Sequence, residues 1–245
     1  LTSRIALPLP FKIVLVNKRS VETLQGNIFN FQKIKPEYIF NKFEGQLNTG
    51  KMMEALLEKV QQKGIKILNN IEVEKFTEGN NEVEVKTNQF SFKTGKLLIA
   101  TNGFASKLGI PQVKPARAQV LITKPIPNLK IKGTFHLEQG YYYFRNIDNR
   151  ILFGGGRNLD VKTEETTEIA QTPIIQQQLE KLLKTTILPD YSFEIEHRWA
   201  GIMGVGNQKK PIVKQMSNNV FCGVRLGGMG VAIGSLVGKE LAELI

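Results

Sequence analysis

Asn218-Asn219-Val220-Phe221-Cys222-Gly223-Val224-Arg225-Leu226-Gly227-Gly228-Met229-Gly230-Val231-Ala232-Ile233-Gly234-Ser235 reads as a buried strand that turns through glycines directly into a helix. Glycines in such a turn let backbone approach a ligand closely, and the following helix offers free N–H groups and the positive end of its dipole. A dinucleotide fingerprint needs about 20 further residues to reach an acidic ribose ligand, and a second strand beyond that. The sequence ends at Ile245. The turn is therefore expected to serve a cofactor whose main binding motif lies elsewhere.

Upstream, Lys96-Leu97-Leu98-Ile99-Ala100-Thr101-Asn102-Gly103 is a continuous apolar run ending in small and turn residues. It predicts a fully buried parallel strand whose C-terminal end faces a ligand. Upstream, Asn48-Thr49 offers an N-cap, and Met53, Leu56, Leu57 and Val60 repeat at helical spacing until Gly64. Ile65–Leu68 predicts a strand, and Val73, Val83 and Val85 flank a turn at Glu78-Gly79-Asn80-Asn81. Residues 112–160 change character: short apolar stretches separated by Pro125-Ile126-Pro127, Gln139-Gly140 and Asp148-Asn149 predict an antiparallel meander. A polar helix over 173–184 and an alternating strand at Phe193, Ile195 and His197 follow. Residues 1–47, where apolar clusters (Ile5–Leu9, Phe11–Leu15, Ile28–Phe31, Tyr38–Phe40) are broken by Pro8, Pro10, Gly26 and Pro36, suit short strands and loops. The fold class is α/β with a β-rich α+β insertion.

At 245 residues, with 41% hydrophobic and 22% charged, the chain suits one large or two small soluble domains. No run reaches the ~18–20 apolar residues of a membrane span, and no charged-then-apolar leader opens the sequence. The single Cys222 excludes an internal disulfide framework and any zinc site built from several thiolates. A cytoplasmic setting fits best. The net charge of +11 invites a nucleic-acid reading. The lysines, however, are dispersed and often near glutamates, without a dense basic run or aromatic ladder, so solvated lysine accounts for them better.

These elements, in order, resemble the flavin-dependent amine and amino-acid oxidoreductases, the family of D-amino-acid oxidase, glycine oxidase and sarcosine oxidase. The likeness rests on Phe43-Glu44-Gly45-Gln46-Leu47-Asn48-Thr49, Gly64-Ile65-Lys66-Ile67 with Ile71-Glu72-Val73, Leu97–Gly103, Arg117-Ala118-Gln119, Ile151-Leu152-Phe153-Gly154-Gly155, Trp199-Ala200-Gly201, and the closing glycine turn. It covers nearly all of residues 40–245. No Gly-x-Gly-x-x-Gly unit between strand and helix occurs; Gly154-Gly155-Gly156 lacks the spacing and reads as a strand-end bulge. The resemblance thus implies an FAD/NAD(P)-binding-type domain incomplete at its N-terminus, joined to an antiparallel-sheet substrate domain. It divides the chain into substrate-domain strands (1–47), part of the FAD-binding domain (48–111), the antiparallel substrate domain (112–195) and a C-terminal FAD-binding part (196–245).

The same resemblance assigns Gly227, Gly228, Met229, Gly230 and Val231 to the flavin, Thr101, Asn102 and Gly103 to its other side, and Val73 to the adenine. Read from residues alone, the glycines form either a tight turn or backbone donors to a ligand, and Arg225 either anchors a carboxylate or makes a surface pair. Tyr141, Tyr143 and Arg145 share one face of a strand, either as a pocket wall or as a solvated sheet face. The substrate set is Arg145, Arg225, Tyr143 and Met203. Met203 stands where glycine oxidase has a carboxylate-gripping arginine, so Arg145 or Arg225 must supply that charge if the substrate is an amino acid. Met203 and Ala232 also occupy the places of sarcosine oxidase's flavin-linking cysteine and last-turn lysine, which implies non-covalent FAD. His136 and His197 suit packing or surface roles. The implied activity is oxidation of a C–N bond in a small amine or amino acid by hydride transfer to FAD. The alternatives are a non-catalytic binding fragment or subunit, or a tRNA-modifying FAD oxidoreductase.

Overall fold

A computed structural model describes residues 6–7, 21–34, 37–41 and 45–245. The apolar cluster Phe11–Leu15, the prolines Pro8, Pro10 and Pro36, and the Phe43-Glu44 part of the family motif lie outside the described residues, as do Ile5 and Leu9 of the first cluster. The elements are β1 (Ala6–Leu7), β2 (Val21–Gln25), β3 (Glu37–Asn41), α1 (Thr49–Gln62), β4 (Val73–Glu78), β5 (Val83–Thr87), β6 (Ser91–Thr94), β7 (Leu97–Ile99), β8 (Lys114–Thr123), β9 (Thr134–Leu137), β10 (Tyr142–Ile147), β11 (Arg150–Gly155), α2 (Pro173–Leu182), β12 (Ile195–Val205), β13 (Ile212–Gln215), β14 (Val220–Val224) and α3 (Gly230–Ala242). They form two compact units: residues 1–48, 117–164 and 168–201 in one, and 49–116, 165–167 and 202–245 in the other.

The first unit is built on a sheet of order β1-β9-β10-β11-β8-β12, mixed because β1 pairs parallel to β9 while β9, β10, β11 and β8 run antiparallel. Strict alternation along β10 buries Tyr142 and Phe144 and leaves Tyr143 and Arg145 half-buried on the opposite face. The buried face gathers Phe31, Phe135, Phe144 and Phe153, with Phe135 and Phe144 stacked at 4.6 Å. Helix α2 closes this core: Pro173 starts it, where a missing N–H costs nothing, and Ile175 and Leu179 point inward. Asp148 and Asn149, at φ 45° and 58°, make the two-residue turn of the β10–β11 hairpin. Gly154-Gly155-Gly156 is not a bulge. Pairing stays regular through Tyr142–Gly155, and the bare strand exists because a Cβ on Gly155 would lie 2.0 Å from the Tyr141 carbonyl oxygen.

The second unit holds two small sheets, β13-β14-β7 and β4-β5-β6, around a core of Val83, Val85, Ile99, Val220, Cys222 and Val224. β7 and β14 run parallel, with Leu97 opposite Val220 and Ile99 opposite Cys222. All of β14 is buried. β7 departs from the expected fully buried strand: Ile99 is covered, whereas Leu98 is exposed. Helix α1 forms where the sequence places it, ending at Gly64 (φ 72°), yet none of its residues is buried. Ile65–Leu68 is not a strand. It is exposed irregular chain with no partner strand among the described residues, and the sheet that follows it is β4-β5-β6.

Candidate functional site

In the second unit, the ends of β7 and β14 converge. Beyond β7, Thr101 is exposed at the start of a short 3-10 turn and Asn102 takes φ 44°. The Asn102 Oδ1 accepts a hydrogen bond from the Leu226 N–H at 3.0 Å, and the Gly227 N–H donates to the Gly204 carbonyl at 2.9 Å. This close approach leaves no room for side chains on the strand that crosses it. A Cβ on Gly103 would lie 2.8 Å from the Met203 carbonyl oxygen, and one on Gly204 would lie 2.5 Å from Asn102 Oδ1. Gly204 is a site residue that sequence reasoning misses, although the Gly201-Ile202-Met203-Gly204-Val205-Gly206 spacing signals such a crossing.

The glycine turn divides by physical cause. Gly227 needs its positive φ of 58°. Gly228 has neither positive φ nor any atom within 4 Å of the place a Cβ would take, so its missing side chain leaves open space beside the backbone. Met229 caps α3 with no side-chain hydrogen bond, and no acidic residue lies in the first helical turn. The N–H groups and positive dipole end at Gly230 and Val231 are thus left for an acceptor. Val73, the first residue of β4, is half-buried against the core of the same unit. Its sheet is a different one from that of the glycine turn.

Arg225 follows β14 at φ 64°, an uncommon backbone for a side chain of its size, and its Nε donates to the Lys210 carbonyl at 2.7 Å. It lines a cavity of about 380 Å³ with Gln112, Lys114, Asn207 and Gln208. That volume falls within the ~300–1,000 Å³ of small-molecule sites. Lys114 is already bound to Glu165, whereas among the described residues Arg225 has no carboxylate partner.

In the first unit, Tyr143 and Arg145 lie on the half-buried sheet face, beside His136 and Thr134 of β9 in register. The Tyr143 ring crosses bare Gly154, where a Cβ would lie 2.8 Å from its hydroxyl. Burial pushes the Tyr143 phenol above its usual range and pulls the Arg145 guanidinium below its own. His197 is exposed.

A second feature of this unit is only half legible in the sequence. Arg117 grips Glu164 through two hydrogen bonds at 2.9 and 2.8 Å, and Gln119 Nε2 adds contacts at 3.0 Å to both carboxylate oxygens. The network runs on through Thr172 and Gln176 to Arg198. Burial would raise the Glu164 carboxyl, but the hydrogen bonds from Arg117 and Gln119 outweigh it and hold it below the usual carboxylate range. Arg117-Ala118-Gln119 is legible as a motif; its partner, 47 residues on, is not.

Among the described residues no cluster of three or more His, Cys, Asp or Glu is placed to hold a metal, and no helix is long and apolar enough to cross a membrane. The parallel strand pair ending in an uncapped, glycine-entered helix, together with a unit built on a largely antiparallel sheet, defines an FAD-binding-type oxidoreductase fold. A family model described as FAD dependent oxidoreductase (DAO) matches residues 12–244, and the chain belongs to that family. It is 22% identical over 223 residues to the probable oxidoreductase OrdL of Haemophilus influenzae, covering 84% of this chain and 49% of that protein. The fold is similar to glycine oxidase from Bacillus cereus (TM-score 0.76, 16% identity, 93% of this chain and 66% of that one). It is also similar to L-proline dehydrogenase from P. horikoshii (TM-score 0.64, 23% identity, 86% and 56%). The chain thus spans about half the length of the OrdL relative.

Proposed function

We propose that this chain supplies the flavin-ring side of a non-covalent FAD site and the substrate face of an oxidoreductase acting on the C–N bond of a small amine or amino acid. The observation that carries the reading is the open backbone at Gly228 followed by the uncapped start of α3, at the C-terminal ends of two parallel strands. A flat ring with carbonyl acceptors fits donors that no described side chain caps. FAD, when bound, supplies the hydride acceptor. In this reading the N–H groups of Gly230 and Val231 stabilise negative charge on the ring, Asn102 and Gly103 fix the opposite wall, and Val73 borders the adenine. The second unit is then the cofactor part and the first the substrate part, in which Tyr143 and Arg145 orient the substrate. Because Tyr143 is held protonated, it acts as a hydrogen-bond donor rather than a base.

The names of similar proteins support this substrate class: glycine oxidase and L-proline dehydrogenase are named for amino acids. The test is titration of the purified chain with FAD, followed by flavin fluorescence. Saturable quenching that Gly228→Ala weakens supports the reading. No flavin uptake by the chain leaves the non-catalytic binding fragment in its place.

A further inference from the structure

Arg225 is the one arginine of the second unit. It stands at φ 64°, where glycine or asparagine would be less strained, so the side chain is kept against a backbone preference. Two contacts fix its stem. Its Nε donates to the Lys210 carbonyl at 2.7 Å, and its chain crosses bare Gly206, where a Cβ would lie 2.8 Å from Arg225 Cδ. The guanidinium is thus held in place, while its Nη1 and Nη2 groups have no hydrogen-bond partner among the described residues.

The cavity that Arg225 lines, about 380 Å³, is also walled by Lys114, Gln112, Asn207 and Gln208, and by no Asp or Glu. Lys114 shares its ammonium with Glu165 at 3.0 and 3.2 Å. Both side chains of that pair are exposed, and such a pair is too weak to withhold the ammonium from a ligand. The amides of Gln112, Asn207 and Gln208 add neutral donors. Lys209 and Lys210 follow in the same loop. A lining that is cationic and rich in donors selects an anion with several acceptor oxygens. A carboxylate brings a single charge, whereas a phosphate monoester carries about −1.5 to −2 at neutral pH on three strong acceptor oxygens. The second is the closer match to a guanidinium fork, an ammonium and amides. The volume also leaves room for the organic group that bears the phosphate.

We propose that this cavity is a site for a small phosphate monoester, held by Arg225 Nη1 and Nη2 with Lys114 beside them. The proposal is independent of the flavin and substrate readings above: the residues it uses lie outside the Gly227–Val231 turn and outside the first unit.

The test is calorimetric titration of the 245-residue chain, at low salt, with glycerol 3-phosphate and with acetate. Glycerol 3-phosphate is expected to bind with one-to-one stoichiometry and at least about tenfold more tightly than acetate. Arg225→Gln is expected to cost at least about tenfold in that affinity, and Lys114→Gln to cost less. Where Arg225→Gln fails to fold, Arg225→Gly carries the test, since it removes the cation and relieves the backbone. Equal affinity for the two probes, no binding of glycerol 3-phosphate at millimolar concentration, or undiminished binding in a folded Arg225 variant overturns the proposal. The titration is repeated with FAD present. Unchanged affinity supports a separate site, whereas competition by FAD assigns the cavity to the cofactor's own phosphates and overturns it. Absence of flavin uptake sinks the redox reading alone and leaves the phosphate result standing.

Discussion

The side-chain oxygen of Asn102 accepts the backbone N–H of Leu226 at 3.0 Å, tying the exit of one parallel strand to the exit of its neighbour 124 residues later. Asn102 reaches it from φ 44°, a conformation asparagine tolerates better than most residues. The bond holds the glycine turn against the crossing strand at Gly204.

Asn102→Ala therefore removes an acceptor and adds backbone strain, and is expected to destabilise the chain by about 1–3 kcal/mol in urea unfolding. FAD affinity should fall with it. Asn102→Asp keeps an acceptor and the backbone tolerance, so it should lose less on both measures. Equal losses for the two variants would mean that the hydrogen bond does not set the turn.

Two glycines should answer the same substitution in opposite ways. Gly103→Ala places a methyl 2.8 Å from Ile202 Cγ2 and from the Met203 carbonyl oxygen, so overpacking should cost about 1–3 kcal/mol in a denaturant titration. Gly228→Ala meets nothing within 4 Å and no positive φ, so its stability should stay within about 0.5 kcal/mol of the parent. Its flavin uptake, read by fluorescence quenching, should nonetheless drop. A stable Gly228→Ala protein with unchanged uptake would remove Gly228 from the cofactor site.

Arg117 and Glu164 are both buried, so removing one leaves the other uncompensated. Arg117→Met or Glu164→Leu should each cost about 3–5 kcal/mol, whereas the two together should cost less than the single losses combined. The Glu164 carboxyl is depressed in the folded state, so its contribution is present above its unfolded value near ~4.3 and is lost as pH falls through the lower folded value. Thermal melts taken as pH falls from ~4.3 through that lower folded value should show the parent losing stability faster than Glu164→Gln.

Alkaline pH should act on β10 through its tyrosines. Burial raises Tyr142 to about 12 and Tyr143 above its usual range, while the unfolded phenols titrate near ~10. Their contribution is thus complete below ~10 and lost as pH climbs through the folded values. Tyr142→Phe should flatten this alkaline loss in pH-dependent melts, and phenolate absorbance of the folded parent should show these groups ionising late.

Much of the local architecture is legible in the sequence because its causes are local. Asn48-Thr49 and Gly64 bound α1, Asp148-Asn149 makes the hairpin, and the alternation Tyr142–Arg145 divides buried from half-buried side chains. Ile65–Leu68 shows the limit. Its composition suits a strand, but a strand needs a partner, and the described chain offers none. The exposure of Leu98 on β7 and of α1 has a related reason: apolar pattern says which face seeks cover, not whether cover is present.

For the candidate site, the glycine turn, the strand before it and the family motifs can be read directly from the residues, because turn chemistry and hydrophobic period act over a few positions. The sequence could not distinguish a glycine required by φ from one left bare beside open space, nor could it find Glu164 for Arg117 or reveal that Arg145 stands without a carboxylate among the described residues. Those distinctions belong to contacts between residues 47 to 124 positions apart, and only the tertiary structure sets them, because the fields and close approaches that define them exist only once distant strands are packed.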